Sequence, residues 1–118
     1  MAKIVITSSH GKEDPERAHI PFAVANAALQ FDHEVQVWLQ GPSVNLCRIG
    51  YTEGLVFPPF PPIKQLIDDF ISQGGKIFLC GPCLKAHQID EKDFISGPKP
   101  AGAALLVQES LGATVFNY

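Results

Sequence analysis

Long apolar runs and an excess of basic residues are both missing from this 118-residue sequence. No stretch approaches the roughly 20 apolar residues that a transmembrane helix needs, so no membrane span is predicted. The chain has 9 Lys and Arg against 12 Asp and Glu, and a formal net charge of −3, which argues against a nucleic-acid partner. The length predicts one folded domain over residues 1–118, and the apolar content of 46% is ordinary for a globular protein.

Cysteine is also scarce, with three residues at positions 47, 80 and 83. Two of them lie three positions apart and cannot join distant segments, and an odd number excludes a fully paired disulfide framework. The sequence opens on an apolar strand pattern rather than on a secretory signal. These features predict a reducing, cytoplasmic setting in which the thiols remain free.

Apolar strand patterns alternate with amphipathic helix patterns along the chain. The predicted strands cover residues 4–6, 34–39, 76–79 and 113–116, and the predicted helices begin near residues 15, 63, 82 and 100. Asp14 followed by Pro15 marks the first helix start, whereas residues 43–60 have no readable period. The alternation predicts an α/β domain with a parallel sheet and helices on both faces.

The most informative segment is residues 77–87, where an apolar strand ends at Cys80 and Cys83 follows in the first turn of a helix. The partial positive charge at a helix N-terminus favours a thiolate over a thiol. The pattern therefore predicts Cys80 as a nucleophile or sulfur acceptor and Cys83 as a resolving thiol. The alternative for both is a cysteine that packs in the core and does not react.

The loops that follow parallel strands meet at one edge of the sheet, and this edge is where ligands bind. We expect Ser9, His10, Gly81 and His87 to line a binding site beside the two thiols there. In this hypothesis His10 donates to a bound anion or acts as an acid, and His87 tunes a thiol. Solvated surface positions explain the two histidines equally well.

A metal site and a thioredoxin-like site are the two alternatives that the cysteine spacing raises. Cys80, Cys83 and His87 supply at most three ligands, whereas a structural zinc site needs four, so neither a metal nor another cofactor is predicted. The string Cys-Gly-Pro-Cys is the thioredoxin active-site motif. In thioredoxin most of the sheet follows this motif, whereas here 35 residues follow Cys83, so only the redox chemistry remains as an alternative.

The order and spacing of these segments resemble the DsrE/DsrF/TusD-like sulfur-relay family, whose fold is also called YchN-like. The likeness rests on residues 3–6, 14–18, 23–29, 34–39, 78–86 and 100–116. It implies a three-layer α/β/α domain with a mainly parallel sheet of about five strands. The chain departs from the family at His87, Gln88 and Ile89, where many members have Arg-Gly-Ile.

The resemblance also implies a function. In characterised members a cysteine at this junction carries a persulfide and passes its sulfur to a partner protein, a role that corresponds to Cys80, while Cys83 matches a second cysteine of some members. It further implies a homotrimer or homohexamer with sulfur donor and acceptor proteins as partners. Trp38, Phe57 and Phe60 then belong either to an interface or to the core. The remaining alternatives are a dithiol–disulfide redox protein and a non-catalytic oligomeric module that binds a small ligand.

Overall fold

Five strands and four α-helices alternate in the computed structural model, which describes residues 1–118. The strands are β1 (Lys3–Ser8), β2 (Glu34–Leu39), β3 (Lys76–Cys80), β4 (Lys99–Ala101) and β5 (Thr114–Asn117). The helices are α1 (Pro15–Leu29), α2 (Ile63–Ser72), α3 (Gly81–Ala86) and α4 (Ala103–Ser110). Two 3-10 helices cover Gly41–Cys47 and Glu91–Asp93. No helix of the structure combines the length and the apolar character that crossing a membrane requires.

All five strands run parallel in one sheet, in the order β4-β3-β2-β1-β5. At the end of β2, Leu39 pairs with Ser8 of β1 on one side and with Leu79 of β3 on the other. The carboxyl ends of the three central strands therefore meet at one edge, as the binding-site hypothesis requires. The predicted α/β class with a mainly parallel sheet of about five strands is confirmed.

One face of the sheet packs against α1 and α2 and forms the main core of 20 buried residues. Alternate residues of the strands, such as Ile6 and Val37, meet Phe22 of α1 and Phe70 of α2, whose rings lie edge to face at 6.0 Å. Each large apolar side chain buried in this way contributes roughly 1.5–3 kcal/mol to folding. The amphipathic patterns of the sequence locate both helices correctly.

The opposite face of the sheet packs against α4 through a chain of polar contacts. Gln36 of β2 donates to Glu109 Oε1 of α4 at 2.6 Å, and Lys3 Nζ lies 3.2 Å from Glu109 Oε2. Trp38 donates its indole N–H to Gln36 Oε1 at 2.9 Å and stacks on Phe78 with ring centroids 4.6 Å apart. Trp38 is 2% exposed and therefore belongs to the interior. The sequence had left open whether it lies in the interior or at an interface.

The predicted boundaries between residues 96 and 111 are wrong. The sequence predicts a loop to Lys99 and a helix from Pro100 to Leu111, whereas Lys99–Ala101 form β4 and the helix covers Ala103–Ser110. A three-residue strand is too short to show a period, and Pro100 is tolerated because β4 lies at the sheet edge. The preceding helix ends at Ala86 rather than at Gln88, because Gln88 adopts a φ of 56°.

Candidate functional site

The turn from β3 into α3 brings two free thiols together. Cys80 is the last residue of β3, and Pro82 lies in the first turn of α3, where its missing N–H removes no helical hydrogen bond. Cys80 and Cys83 are both half-buried. The thiol and the backbone N–H of Cys83 both lie near enough to Sγ of Cys80 to influence its pKa.

The pKa of Cys80 is raised above its ordinary value, which corrects the thiolate expected from the sequence. Burial is the largest cause, and the neighbouring Cys83 thiol adds to it, because both disfavour the charged form of Cys80. The backbone N–H of Cys83 acts in the opposite direction without reversing the shift. Helix α3 has six residues, and so short a helix adds little dipole. Cys80 therefore loses a proton as it reacts.

Cys83 also contacts the loop that follows β2. The backbone N–H of Gly41 donates to Cys83 Sγ at 3.3 Å. Gly41 has a φ of +55°, a left-handed conformation that favours glycine, and a Cβ at this position would lie 3.9 Å from the carbonyl oxygen of Ser9. The loop after β2 therefore lies between the loop after β1 and helix α3.

Cys80 lines a small, mostly apolar cavity of about 70 Å³ between the sheet and α4. Its other lining residues are Trp38 and Gln40 from the end of β2, Pro82 from α3, residues 101–103, and Leu106 from α4. Gly102 and Ala103 are exposed and form its rim. The cavity gives a group attached to Cys80 an apolar position close to the surface.

Ser9 and His10 lie at a different part of the same sheet edge. Ser9 Oγ donates to the carbonyl oxygen of Tyr118 at 3.0 Å, and His10 Nδ1 lies 2.8 Å from Glu13 Oε2. His10 and Tyr118 line a separate cavity of about 260 Å³ with Arg17. Neither Ser9 nor His10 lines the cavity of Cys80, so the structure divides the predicted constellation into two groups.

Gly81 and His87 are close to the thiols in sequence, but they take little part in their surroundings. A Cβ on Gly81 would lie 3.7 Å from the carbonyl oxygen of Ala101, an ordinary contact, so this position does not require glycine. His87 is exposed and donates its backbone N–H to the Cys83 carbonyl oxygen at 3.0 Å. Neither residue lines the cavity.

Cys47 stands apart from the other two cysteines. It ends the first 3-10 helix and is fully buried among core residues. Burial raises the pKa of its thiol to about 12, so it stays protonated and unreactive at neutral pH. No group of three or more His, Cys, Asp and Glu side chains is arranged to hold a metal ion.

Sequence reasoning did not identify Trp38, Gln40 and Leu106 as neighbours of Cys80. A signal for the first two was present, because Trp38 and Gln40 alternate with the core residues of β2 and therefore face the side opposite the main core. Phe78, two residues before Cys80, pairs with Trp38 in the register. Leu106 carried no such signal, since its position depends on how α4 crosses the sheet.

The sequence model of the DsrE/DsrF-like family matches residues 2–113. The chain belongs to the DsrE/DsrF-like family. The family is the one that the sequence pattern resembles, and this prediction is confirmed over nearly the whole chain.

Three relatives of this DsrE-like chain are 28–33% identical to it over the aligned residues. The uncharacterised protein MK0008 of Methanopyrus kandleri is 33% identical over 80% of this chain and 74% of its own length. The uncharacterised protein MJ0989 of Methanocaldococcus jannaschii is 31% identical over 83% of this chain and 80% of its own. MJ0760 of the same organism is 28% identical over 86% of this chain, which spans 37% of that longer relative.

Two solved structures have the same fold as this DsrE-like chain. The ychN protein from E. coli superposes with a TM-score of 0.85 at 21% identity, and the alignment covers 100% of both chains. The protein of unknown function MTH1491 from Methanobacterium thermoautotrophicum gives a TM-score of 0.78 at 16% identity, again over 100% of both chains. At these identities the likeness establishes the fold, and function rests on the site itself.

Proposed function

We propose that this DsrE-like protein is a sulfur carrier, which holds sulfane sulfur as a persulfide on Cys80 and passes it to a partner protein. The observation that carries this proposal is the half-buried Cys80 thiol at the β3–α3 turn, next to Cys83 and open to an apolar cavity. Membership of the DsrE/DsrF-like family supports it at the level of sulfur relay. The fully buried Cys47 is not part of the site.

Loading of Cys80 is a displacement at sulfur. Sγ attacks the outer sulfur of a donor persulfide, a new S–S bond forms, and the S–S bond of the donor breaks. The donor sulfur that leaves keeps the bonding electron pair and receives the proton that Cys80 gives up. No electron acceptor is needed, because one S–S bond replaces another.

Two routes release the sulfur. In the first, a thiolate of the acceptor protein attacks the outer sulfur, and Cys80 leaves as a thiolate. In the second, Cys83 attacks Cys80 Sγ, which expels hydrosulfide and forms a Cys80–Cys83 disulfide that a cellular dithiol must then reduce. Cys83 lies in the first turn of α3, close enough to Cys80 to influence its pKa, which favours the second route.

Intact-protein mass spectrometry tests the proposal. Wild type, Cys80→Ser, Cys83→Ser and the control Cys47→Ala are incubated with a sulfane-sulfur donor and weighed. We expect a gain of one sulfur mass in every form except Cys80→Ser, with slower loss of that sulfur from Cys83→Ser. Equal loading of wild type and Cys80→Ser would rule out a carrier role for Cys80.

A dithiol–disulfide redox protein is the second candidate, and the proximity of the free Cys80 and Cys83 thiols favours it. Such a protein would lose two hydrogens on oxidation, would need both cysteines to do so, and would retain no sulfur. The same mass spectra therefore separate the two candidates. Both require a reducing compartment, and a cytoplasmic location is part of the proposal.

Assembly of several copies is a further part of the proposal. Six apolar side chains on α4, on β5 and directly after each of them are 37–75% exposed. We call this set the α4–β5 surface, namely Leu105, Val107, Leu111, Val115, Phe116 and Tyr118. Strand β5 also lies at the sheet edge with unpaired backbone groups on one side. Exposed apolar side chains beside an open strand edge fit a second copy of the chain, in line with the trimer or hexamer that the family resemblance implies. A non-catalytic oligomeric module would use the same surface with inert cysteines.

A further inference from the structure

The cavity beside Cys80 is much smaller than an ordinary ligand pocket. Its volume of about 70 Å³ leaves room for roughly two water molecules. Pockets that enclose a drug-sized ligand have volumes on the order of 300–1,000 Å³. The cavity is open at the rim formed by Gly102 and Ala103, so it covers only one or two heavy atoms beyond Sγ of Cys80, and a larger group has to extend out through that rim.

Trp38 forms the wall on the sheet side and is held in place from two directions. Its ring stacks on Phe78 at 4.6 Å, and its Nε1–H donates to Gln36 at 2.9 Å. Gln36 is bound in turn to Glu109 of α4 at 2.6 Å. The indole therefore cannot turn aside to enlarge the cavity without breaking a buried hydrogen bond.

Leu106 forms the opposite wall, because α4 crosses this face of the sheet. Its side chain is half-buried and lines the cavity, whereas the rim residues Gly102 and Ala103 are small. The distance between the indole and this leucine side chain determines which group fits beside Cys80. Side-chain truncation at Leu106 would widen the cavity without touching either cysteine.

We propose that Trp38 and Leu106 form a size filter at Cys80, which admits a single sulfur atom or a group of similar size and excludes organic thiols. The inference rests on the proposed function, because the admitted group is the outer sulfur of a Cys80 persulfide. Free thiols strip a persulfide by attacking its outer sulfur. A filter that keeps them out preserves the bound sulfur until a partner with a fitted thiol docks.

Two thiosulfonate reagents with the same leaving group test the filter directly. Methyl and benzyl methanethiosulfonate transfer a methylthio or a benzylthio group to Sγ, the S–S bond of the reagent breaks, and methanesulfinate leaves with the electron pair. The full chain is used in a Cys83→Ser background, and peptide mapping assigns the adduct to Cys80. The measured quantity is the ratio of the methyl rate to the benzyl rate, divided by the same ratio for free cysteine.

We expect this ratio to exceed that of free cysteine by about tenfold or more, because an apolar pocket discriminates even one methylene by about 10–200-fold. Leu106→Ala should bring the ratio close to that of free cysteine. Leu29→Ala is the matched control, since it truncates another half-buried leucine on α1 and should leave the ratio unchanged. Ala103→Leu should narrow the rim and slow the benzyl reagent more than the methyl reagent, so the ratio should rise above that of wild type. This variant provides a second test if Leu106→Ala folds poorly.

A wild-type ratio equal to that of free cysteine would overturn the filter, and so would an unchanged ratio in both Leu106→Ala and Ala103→Leu. These outcomes are independent of sulfur loading. If Cys80 gains sulfur from a donor but shows no size preference, the carrier function stands and the filter is wrong. If Cys80 shows the size preference but never gains sulfur, the filter stands and the carrier function is wrong.

Discussion

The backbone N–H of Gly41 donates to Sγ of Cys83 at 3.3 Å, whereas Cys80 opens on the cavity under α4. The two cysteines are three residues apart, yet they have different surroundings. Cys83 accepts a hydrogen bond from the loop after β2, whereas Cys80 is the thiol that a group entering the cavity would contact. This asymmetry is the physical basis for giving the carrier role to Cys80 and the resolving role to Cys83.

The first prediction concerns the acidity of Cys80. In Cys83→Ala the thiol that raises the pKa of Cys80 is gone, while the backbone N–H that lowers it remains. We therefore expect the pKa of Cys80 to fall and the midpoint of its pH–rate profile to move to lower pH. The measurement is the rate of Cys80 alkylation by iodoacetamide as a function of pH. Cys47→Ala serves as the control, and an unchanged or higher midpoint in Cys83→Ala would contradict the prediction.

The second prediction concerns stability at alkaline pH. Burial raises the pKa of Cys47 from its ordinary value of 9.0 to about 12, so the unfolded chain loses this proton before the folded one. The free energy of unfolding should therefore fall as pH rises above 9, by about 1.4 kcal/mol per unit for this group. Urea unfolding at pH 7.5 and 10.5 measures the decline. Cys47→Ala should be less stable at neutral pH but should show a weaker decline, and identical declines would contradict this account.

The strand–turn–helix around Cys80 was predictable because local signals agree there. An apolar strand, a proline that fits a first helical turn and two cysteines at a short spacing all point to one geometry. The edge near β4 was not predictable, since a three-residue strand containing Pro100 has no period to detect. Because β4 was not predicted, the sequence did not show that α4 crosses the sheet over Trp38. The cavity beside Cys80 therefore could not be predicted either.

The electrostatic expectation for Cys80 failed for a related reason. A helix start favours a thiolate, but its effect depends on helix length and on how far Sγ is buried. The sequence indicates the helix start, whereas it does not indicate that α3 stops after six residues or that α4 partly covers Cys80. The sequence also did not indicate that His10 lies apart from Cys80. That separation depends on two contacts in the folded chain, since His10 contacts Glu13 and lines a cavity with Tyr118.

The third prediction concerns the attachment of α4 to the sheet. The hydrogen bond from Gln36 and the contact with Lys3 hold the pKa of Glu109 below its usual value. A lowered carboxylate pKa stabilises the fold above the pKa of the unfolded chain, and this contribution is lost as pH falls through the folded value. Glu109→Ala should loosen α4 at neutral pH and red-shift the fluorescence of Trp38, the single tryptophan. Wild type should show the shift only at acidic pH.

Glu91→Ala is the control for this prediction, because Glu91 is an exposed carboxylate in the second 3-10 helix, away from α4. Its fluorescence should match that of wild type at every pH. A neutral-pH spectrum of Glu109→Ala that is identical to wild type would mean that Leu106 and its neighbours hold α4 without the polar contacts. In that case, the change of Trp38 fluorescence at acidic pH would also be the same in Glu109→Ala and in wild type.

The fourth prediction concerns assembly through the α4–β5 surface. Val107 and Leu111 are 62% and 75% exposed, so replacing both with glutamate puts two charges on that surface with little effect on the folded monomer. If copies of the chain pack there, each charge loses its water in the interface, and this desolvation opposes association. We expect wild type to run as an oligomer and Val107→Glu/Leu111→Glu to run as a monomer in size-exclusion chromatography with light scattering.

Phe31→Glu is the matched control, because Phe31 is also 75% exposed but follows α1 and lies outside the α4–β5 surface. An oligomer that survives the double substitution but dissociates in Phe31→Glu would move the interface away from α4 and β5.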